Sequence, residues 1–147
     1  MDLKSTLQSD LQDAMRHAEV TRKSTLRMAL TAFKLAEIDK GKPLDEAESL
    51  AIIQKEIKSR HEAIADAERA NRPELITQAE QEIKVLQVYM PASFSEDALE
   101  LLVKEAIQES GATSMQDMRK VMAILMPRLQ ARATGDQASK MVRKLLQ

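Results

Sequence analysis

The chain has 147 residues, a length typical of one domain or of two small ones. It carries 22 Lys and Arg against 23 Asp and Glu, a formal net charge of -1, and it has no cysteine, which excludes disulfides, thiol catalysis and thiolate metal sites. Aromatic residues make up 2% and charged residues 31% of the chain, and there are 3 glycines. This composition predicts an all-α fold.

Four amphipathic helices are predicted in the first part of the chain. The second is expected over residues 24–40, with Gly41 as its end. Asp45 and Glu48 have the spacing of a capping box at the start of the third, and Asn71 is the expected N-cap of the fourth. The residues expected to face inward recur at helical spacing: Leu3, Leu7, Leu11, Ala14 and Ala18; Leu26, Leu30, Phe33 and Ile38; Leu50, Ile53, Ile57 and Ile64; Ile76, Ala79, Ile83, Leu86 and Met90.

Three shorter helices are predicted after a break at Pro91. Ser95 is the expected N-cap of the fifth helix and Gly111 its end. Ser114 and Asp117 open the sixth, which Pro127 is expected to end or kink, and Gly135 precedes the seventh. The predicted organisation is an N-terminal domain of about four helices over residues 1–92 and a C-terminal three-helix module over residues 93–147. Inward positions are Leu99, Leu102, Val103, Ala106 and Ile107 in the fifth helix and Ala138, Met141, Val142, Leu145 and Leu146 in the seventh.

A methionine stripe in the sixth helix has two interpretations. Exposed, it would form an adaptable partner-binding groove, because the thioether chain fits many shapes. Buried, it would fill the core of a small module that has few other large apolar side chains. The sequence favours the core for Met115, Met118, Met122 and Met126.

The sequence shows little that could carry catalysis. His61 and Glu62 begin like the zinc-protease helix motif, but the second histidine would have to stand where Ala65 does. His17 has no such neighbour either. Three scattered glycines cannot form a phosphate-cradling loop. We therefore predict no metal, no cofactor and no catalytic residue, so that an enzyme acting alone is the least favoured class.

The distribution of charge is more informative than its sum. Residues 93–118 hold six acids and one lysine, whereas residues 119–147 hold seven bases and one acid. Such a split could form a cationic face for a phosphate backbone, although cations near helix C-termini also offset the macrodipole. No aromatic side chain is interleaved with these bases, so shape and phosphate recognition of a folded RNA is favoured and DNA is not expected. The candidate RNA-binding residues are Arg119, Lys120, Arg128, Arg132, Lys140, Arg143 and Lys144.

Several segments resemble the YqeY family, whose last part is shared with the tail of the GatB subunit of glutamine-dependent tRNA amidotransferases. They are VYMPASFSEDALELLVKEAI, GATSMQDMRKVMAILMP and RATGDQASKMVRKLL, preceded by TLRMALTAFKLAEIDKGKPL and AIIQKEIKSRHEAIADAERANRPEL. The resemblance implies a two-part all-α GatB/YqeY fold and a tail that engages tRNA. It also implies a place among carbon–nitrogen ligases with glutamine as amido-N-donor, although the chemistry of those enzymes lies outside the shared tail.

The chain departs from that family at two places. Arg119 and Ala123 stand where relatives often have glycine, and the stretch from Ala131 to Thr134 replaces a stretch that usually begins with glycine. Fewer glycines leave fewer points where an RNA backbone could approach closely.

The resulting prediction is a non-catalytic, tRNA-associated protein. The alternative is a protein-interaction adaptor of the translation apparatus, with an aminoacyl-tRNA synthetase or amidotransferase subunit as partner. Val85, Val88 and Tyr89 suggest that alternative, because they add apolar surface outside the main stripe of the fourth helix. No apolar run reaches the length of a membrane span and the first residues do not resemble a signal peptide, so a cytoplasmic location is expected.

Overall fold

A computed structural model describes residues 2–147, and every regular element in that range is helical, which confirms the all-α prediction. Backbone contacts divide the chain into two compact units, Met1–Met90 (unit 1) and Pro91–Gln147 (unit 2). The sequence had placed the boundary between residues 92 and 93. Unit 1 holds α1 (Leu3–Arg16), α2 (Val20–Lys40), α3 (Glu46–Arg69) and α4 (Pro73–Gln87), and unit 2 holds α5 (Glu96–Ser110), α6 (Met118–Leu129) and α7 (Gly135–Leu146).

Short polar residues set the helix boundaries in unit 1. The Glu48 N–H donates to Asp45 Oδ1 at 2.8 Å and the Asp45 N–H donates to Glu48 Oε1 at 3.2 Å, which confirms the predicted capping box of α3. Gly41 ends α2 with a φ of 79°, a conformation that glycine adopts without steric cost. Asp2 caps α1 by accepting from the Ser5 N–H.

Several predicted details of unit 1 are wrong. α2 begins at Val20, four residues earlier than expected, and Ala18 lies outside α1 with a φ of 54°. Asn71 does not cap α4, because its φ of 55° makes it part of the turn after α3, and Arg72 occupies the N-cap. Met90 follows the end of α4.

Ile38 was expected to face inward, but it is 65% exposed. It follows Phe33 by five residues, which is about 140° around a helix of 3.6 residues per turn. The two side chains therefore cannot share a face.

The core of unit 1 collects side chains from all four helices. Because α1 and α4 each place a leucine against α2 and α3, the four apolar faces close on one another. The buried cluster consists of Leu7, Leu26, Ala29, Phe33, Ile53 and Leu86.

Unit 2 is a three-helix module with its own core. Ser95 caps α5 by accepting from the Ala98 N–H, and Gly111 ends it with a φ of 70°, as predicted. Thr134 and Gln137 form a capping box at the start of α7 that the sequence analysis missed. The central buried residues are Val103, Ala106, Val121, Leu125, Ala138 and Val142.

The methionine stripe is only partly buried. The buried face of α6 is formed by Val121, Leu125 and Leu129, at spacings of four residues. Met118 and Met122 border that face and pack against the core, whereas Met115 and Met126 are 40% and 46% exposed. Met115 lies in a single 3₁₀ turn before α6, so it does not continue the periodicity of that helix. α6 also continues two residues past Pro127, where the sequence analysis expected an end or a kink.

Candidate nucleic-acid interface

The exposed face of α7 carries three of the seven predicted RNA-binding residues. Ala138, Met141 and Val142 bury the opposite side of this helix. Lys140, Arg143 and Lys144 follow one another at spacings of three and one, which keeps them within about 100° of the helix circumference. All three are exposed. None forms an ion pair with an acidic side chain among residues 2–147. The arrangement leaves three cations free for an external anion.

The two basic residues of α6 occupy its first turn. Arg119 and Lys120 are exposed, and Lys120 Nζ lies 4.0 Å from Asp117 Oδ1. Asp117 also accepts a hydrogen bond from the Thr113 N–H at 3.0 Å, and this bond lowers the pKa of its carboxyl group. Cations at a helix N-terminus oppose the macrodipole. A favourable interaction with the helix dipole therefore explains the placement of Arg143 and Lys144 in the last turn of α7. It does not explain the placement of Arg119 and Lys120 in the first turn of α6.

Arg132 is held inside unit 2. Its Nε donates to the Ala92 carbonyl oxygen at 2.8 Å, and its guanidinium carbon lies 4.1 Å from the centroid of the Phe94 ring. The Phe94 N–H in turn donates to the Arg132 carbonyl oxygen at 3.0 Å. These contacts fix the segment that leads into α5 against the loop before α7, so the side chain has a structural role.

Arg128 is also engaged within unit 2. Its Nη2 lies 2.5 Å from Glu109 Oε2, which joins α6 to α5. The structure therefore brings Lys140, Arg143 and Lys144 together on one helix face. It leaves Arg119 and Lys120 exposed on another helix. Arg128 and Arg132 are engaged in contacts within unit 2. The sequence showed the number of bases but not which of them have partners.

Unit 1 contains a polar network that no sequence pattern marks. Arg22 Nη1 donates to Asp13 Oδ2 and to Glu19 Oε2, each at 2.8 Å. The Tyr89 hydroxyl donates to Asp10 Oδ2 at 2.5 Å. The hydrogen bond from Arg22 lowers the pKa of Asp13, while burial, followed by the bond to Asp10, raises the pKa of Tyr89. The network ties α1 to the start of α2 and to the segment after α4, and a separation of 79 positions along the chain conceals the Tyr89–Asp10 pair.

Arg60 is a buried charged side chain in unit 1. It is 6% exposed, and its Nη1 donates to Glu56 Oε2 at 3.0 Å. Its Nε lies 3.3 Å from Glu82 Oε2, which links α3 to α4. No sequence motif marks this arginine, because Glu56 and Glu82 both lie in helices where acidic and basic residues alternate along the surface.

A cleft of about 550 Å³ opens beside α1, α2 and the start of α3. Three of the four acids that line it have partners: Asp2 and Asp45 cap helices, and Glu37 lies 2.8 Å from Lys4 Nζ, while Glu46 stands in the first turn of α3. Two of the acids in the cleft wall therefore stabilise the N-termini of α1 and α3. Among residues 2–147 no three His, Asp or Glu side chains are grouped as metal ligands would be. No helix in the same range is both long enough and apolar enough to cross a bilayer.

The fold and this surface define a small all-helical protein built of two units, with a cationic helix face in the second. The family model described as "Yqey-like protein" matches residues 4–146. The chain therefore belongs to the YqeY-like family.

Similar curated proteins come from yeasts and share one name, "Altered inheritance of mitochondria protein 41, mitochondrial". The protein from Vanderwaltozyma polyspora is 30% identical over 119 residues, covering 76% of this chain and 64% of the relative. The protein from Kluyveromyces lactis is 36% identical over 89 residues, covering 60% and 48%. The chain spans about half to two thirds of the length of these relatives.

Proposed function

We propose that this protein associates with tRNA through phosphate contacts and catalyses no reaction on its own. The observation that supports the proposal is the group of three exposed cations on α7, Lys140, Arg143 and Lys144, which form no ion pair with an acid in the described part of the chain. A row of cations on a rigid helix neutralises phosphates without reading bases. Arg119 and Lys120 add two further candidate contacts from α6.

The choice of tRNA depends on the resemblance of the segment from Leu86 to Leu146 to the tail of the GatB subunit. That relation to amidotransferases is part of the proposal, as is the carbon–nitrogen ligase classification that comes with it. Arg128 and Arg132 are not counted as phosphate contacts, because Glu109, Ala92 and Phe94 already engage them.

The test is a fluorescence titration of labelled total tRNA with the full chain at about 50 and 200 mM salt. Each phosphate contact contributes a slope of about -0.7 to -0.9 to the dependence of log affinity on log salt. Three contacts therefore predict an affinity loss of about 20- to 40-fold between the two concentrations.

The informative variant is K140A/R143A/K144A, which should bind tRNA more weakly at low salt. Its plot of log affinity against log salt should be shallower than that of the native chain by about 2 to 3. The matched control K42A/K55A/K84A removes the same charge from exposed positions of unit 1 and should keep the slope. Equal losses in both variants would show attraction by net charge alone and would refute an interface on α7. No binding at the lower salt concentration would refute tRNA association.

The second candidate function is an adaptor that binds an aminoacyl-tRNA synthetase or an amidotransferase subunit. At the end of α4, Val85 and the following Tyr89 pack against the core of unit 1, so Val88 alone of the three adds exposed apolar surface there. A larger exposed apolar surface lies on α2. Recovery of a synthetase with the chain after ribonuclease treatment would favour the adaptor.

The cytoplasmic location stays a prediction. The yeast relatives carry the word mitochondrial in their names, and that word describes those proteins. Fractionation of the source cells, followed by immunodetection of this chain, is the direct measurement.

A further inference from the structure

An exposed apolar stripe runs along the outer face of α2. Val20, Met28, Leu35 and Ile38 are 72%, 52%, 59% and 65% exposed, whereas the opposite face of the helix is buried in unit 1. From the first to the last of these residues the stripe extends about 27 Å, or five turns. The four side chains fall within about 80° of one another around the helix, and the hydroxyl side chains of Ser24 and Thr31 lie between them on the same face. Single exposed apolar residues are common on proteins, but an aligned set of four on one helix indicates a contact surface.

Basic side chains border one side of this stripe. Lys23, Arg27 and Lys34 lie along that border, and none of the three is within ion-pair distance of an acid in the described part of the chain. Arg27 reaches only the Met15 sulfur, at 3.8 Å. Asp39 stands on the other border, near the carboxyl end of the helix. The surface thus combines a centre of four apolar and two hydroxyl side chains with a net positive edge.

This combination selects among possible ligands. A phosphate backbone would use the cations but would gain nothing from covering four aliphatic side chains. A lipid surface would use both, yet membrane-binding helices commonly add aromatic side chains, and Phe33, the aromatic residue of α2, is fully buried. An amphipathic helix five turns long would bury the stripe with its own apolar residues and would place acids opposite the three cations.

We propose that the outer face of α2 binds a partner protein through an amphipathic helix whose apolar stripe is bordered by Asp and Glu. The occupant differs in class from the tRNA assigned to α7, and the two surfaces lie in different units. Either proposal can therefore fail while the other stands.

The probe is a synthetic 18-residue peptide with Leu at positions of one helix face and Glu on both borders. Its control has the same Leu pattern with Lys in place of Glu. ¹⁵N-labelled full chain is titrated with each peptide and amide shifts are followed. The acidic peptide should shift amides of α2 from Val20 to Ile38 in a saturable way, and the basic peptide should bind at least tenfold more weakly.

Two sets of variants identify the surface. L35S/I38S and K23E/R27E/K34E should each weaken the acidic peptide by tenfold or more, whereas L101S, which alters the exposed leucine of α5, should not. L35S/I38S should also leave tRNA affinity unchanged, which separates this surface from α7.

Three results would overturn the proposal. They are equal affinity for both peptides, shifts centred outside α2, and binding to phosphatidylglycerol vesicles in the absence of any response to the acidic peptide. The last result would assign the face to a lipid surface.

Discussion

Replacing Arg132 by alanine separates a structural arginine from an RNA-binding one. The side chain donates a charged hydrogen bond to the Ala92 carbonyl at 2.8 Å and stacks on the Phe94 ring at 4.1 Å. A hydrogen bond of a charged donor contributes about 1.5–3 kcal/mol when well shielded, and an exposed cation–π contact contributes about 0.5–1 kcal/mol. Because water reaches both groups, the expected loss from R132A is about 1–2 kcal/mol of unfolding free energy.

The assay is urea unfolding of the full chain followed by far-UV circular dichroism. Tyr89, the only tyrosine in a sequence without tryptophan, gives a separate fluorescence signal from unit 1. With a urea dependence of about 1 kcal/mol per molar for a small unit, R132A should lower the midpoint by about 1–2 M. R119A, which removes an equal charge from an exposed position in the first turn of α6, should not lower the midpoint, because a cation there opposes the helix macrodipole.

The tRNA titration completes this test. R132A should keep the salt slope of the native chain, apart from any effect of unfolding, and R119A should lower the slope by about 1 if that residue contacts a phosphate. The reverse pattern, with normal stability and a reduced slope for R132A, would refute the structural role and make Arg132 an RNA contact.

Two further predictions concern the cores of the units. Leu125→Ala should destabilise the chain by about 2–5 kcal/mol in urea unfolding because it leaves a cavity, whereas exposed Met126→Ala should change stability by less than about 0.5 kcal/mol; equal losses would contradict the assignment of the buried face of α6. The raised pKa of Tyr89 means that its stabilising effect is complete below the ordinary phenol range and is lost as pH rises through the folded-state value. Absorbance at 295 nm should show that Tyr89 ionises above that range in the folded chain, and Y89F should lose less stability than the native chain between neutral and alkaline pH, because Phe has no proton to lose; ionisation in the ordinary range would contradict the burial of the Tyr89 hydroxyl and its contact with Asp10.

Much of the helical architecture was set by local sequence. Asp45 with Glu48, Ser95, Gly41 and Gly111 act through the backbone within four residues of their own positions, so their effects can be predicted without knowing the fold. The all-α class and the family resemblance followed from the same local patterns. Errors arose where a local pattern allowed more than one outcome: Asn71 could serve as a cap or as a left-handed turn, and the structure uses the turn.

Tertiary structure alone decided which side chains have partners. The seven bases after residue 118 are equivalent in the sequence, but Arg128 meets Glu109 and Arg132 meets Phe94 and Ala92, while Lys140, Arg143 and Lys144 remain exposed together. Ile38 is a different case: its angle of about 140° to Phe33 follows from sequence spacing, and packing decided only that the face of Phe33 is the buried one. Helix formation depends on neighbours a few residues away, whereas burial and pairing depend on how separate helices pack, and a single sequence does not state that packing.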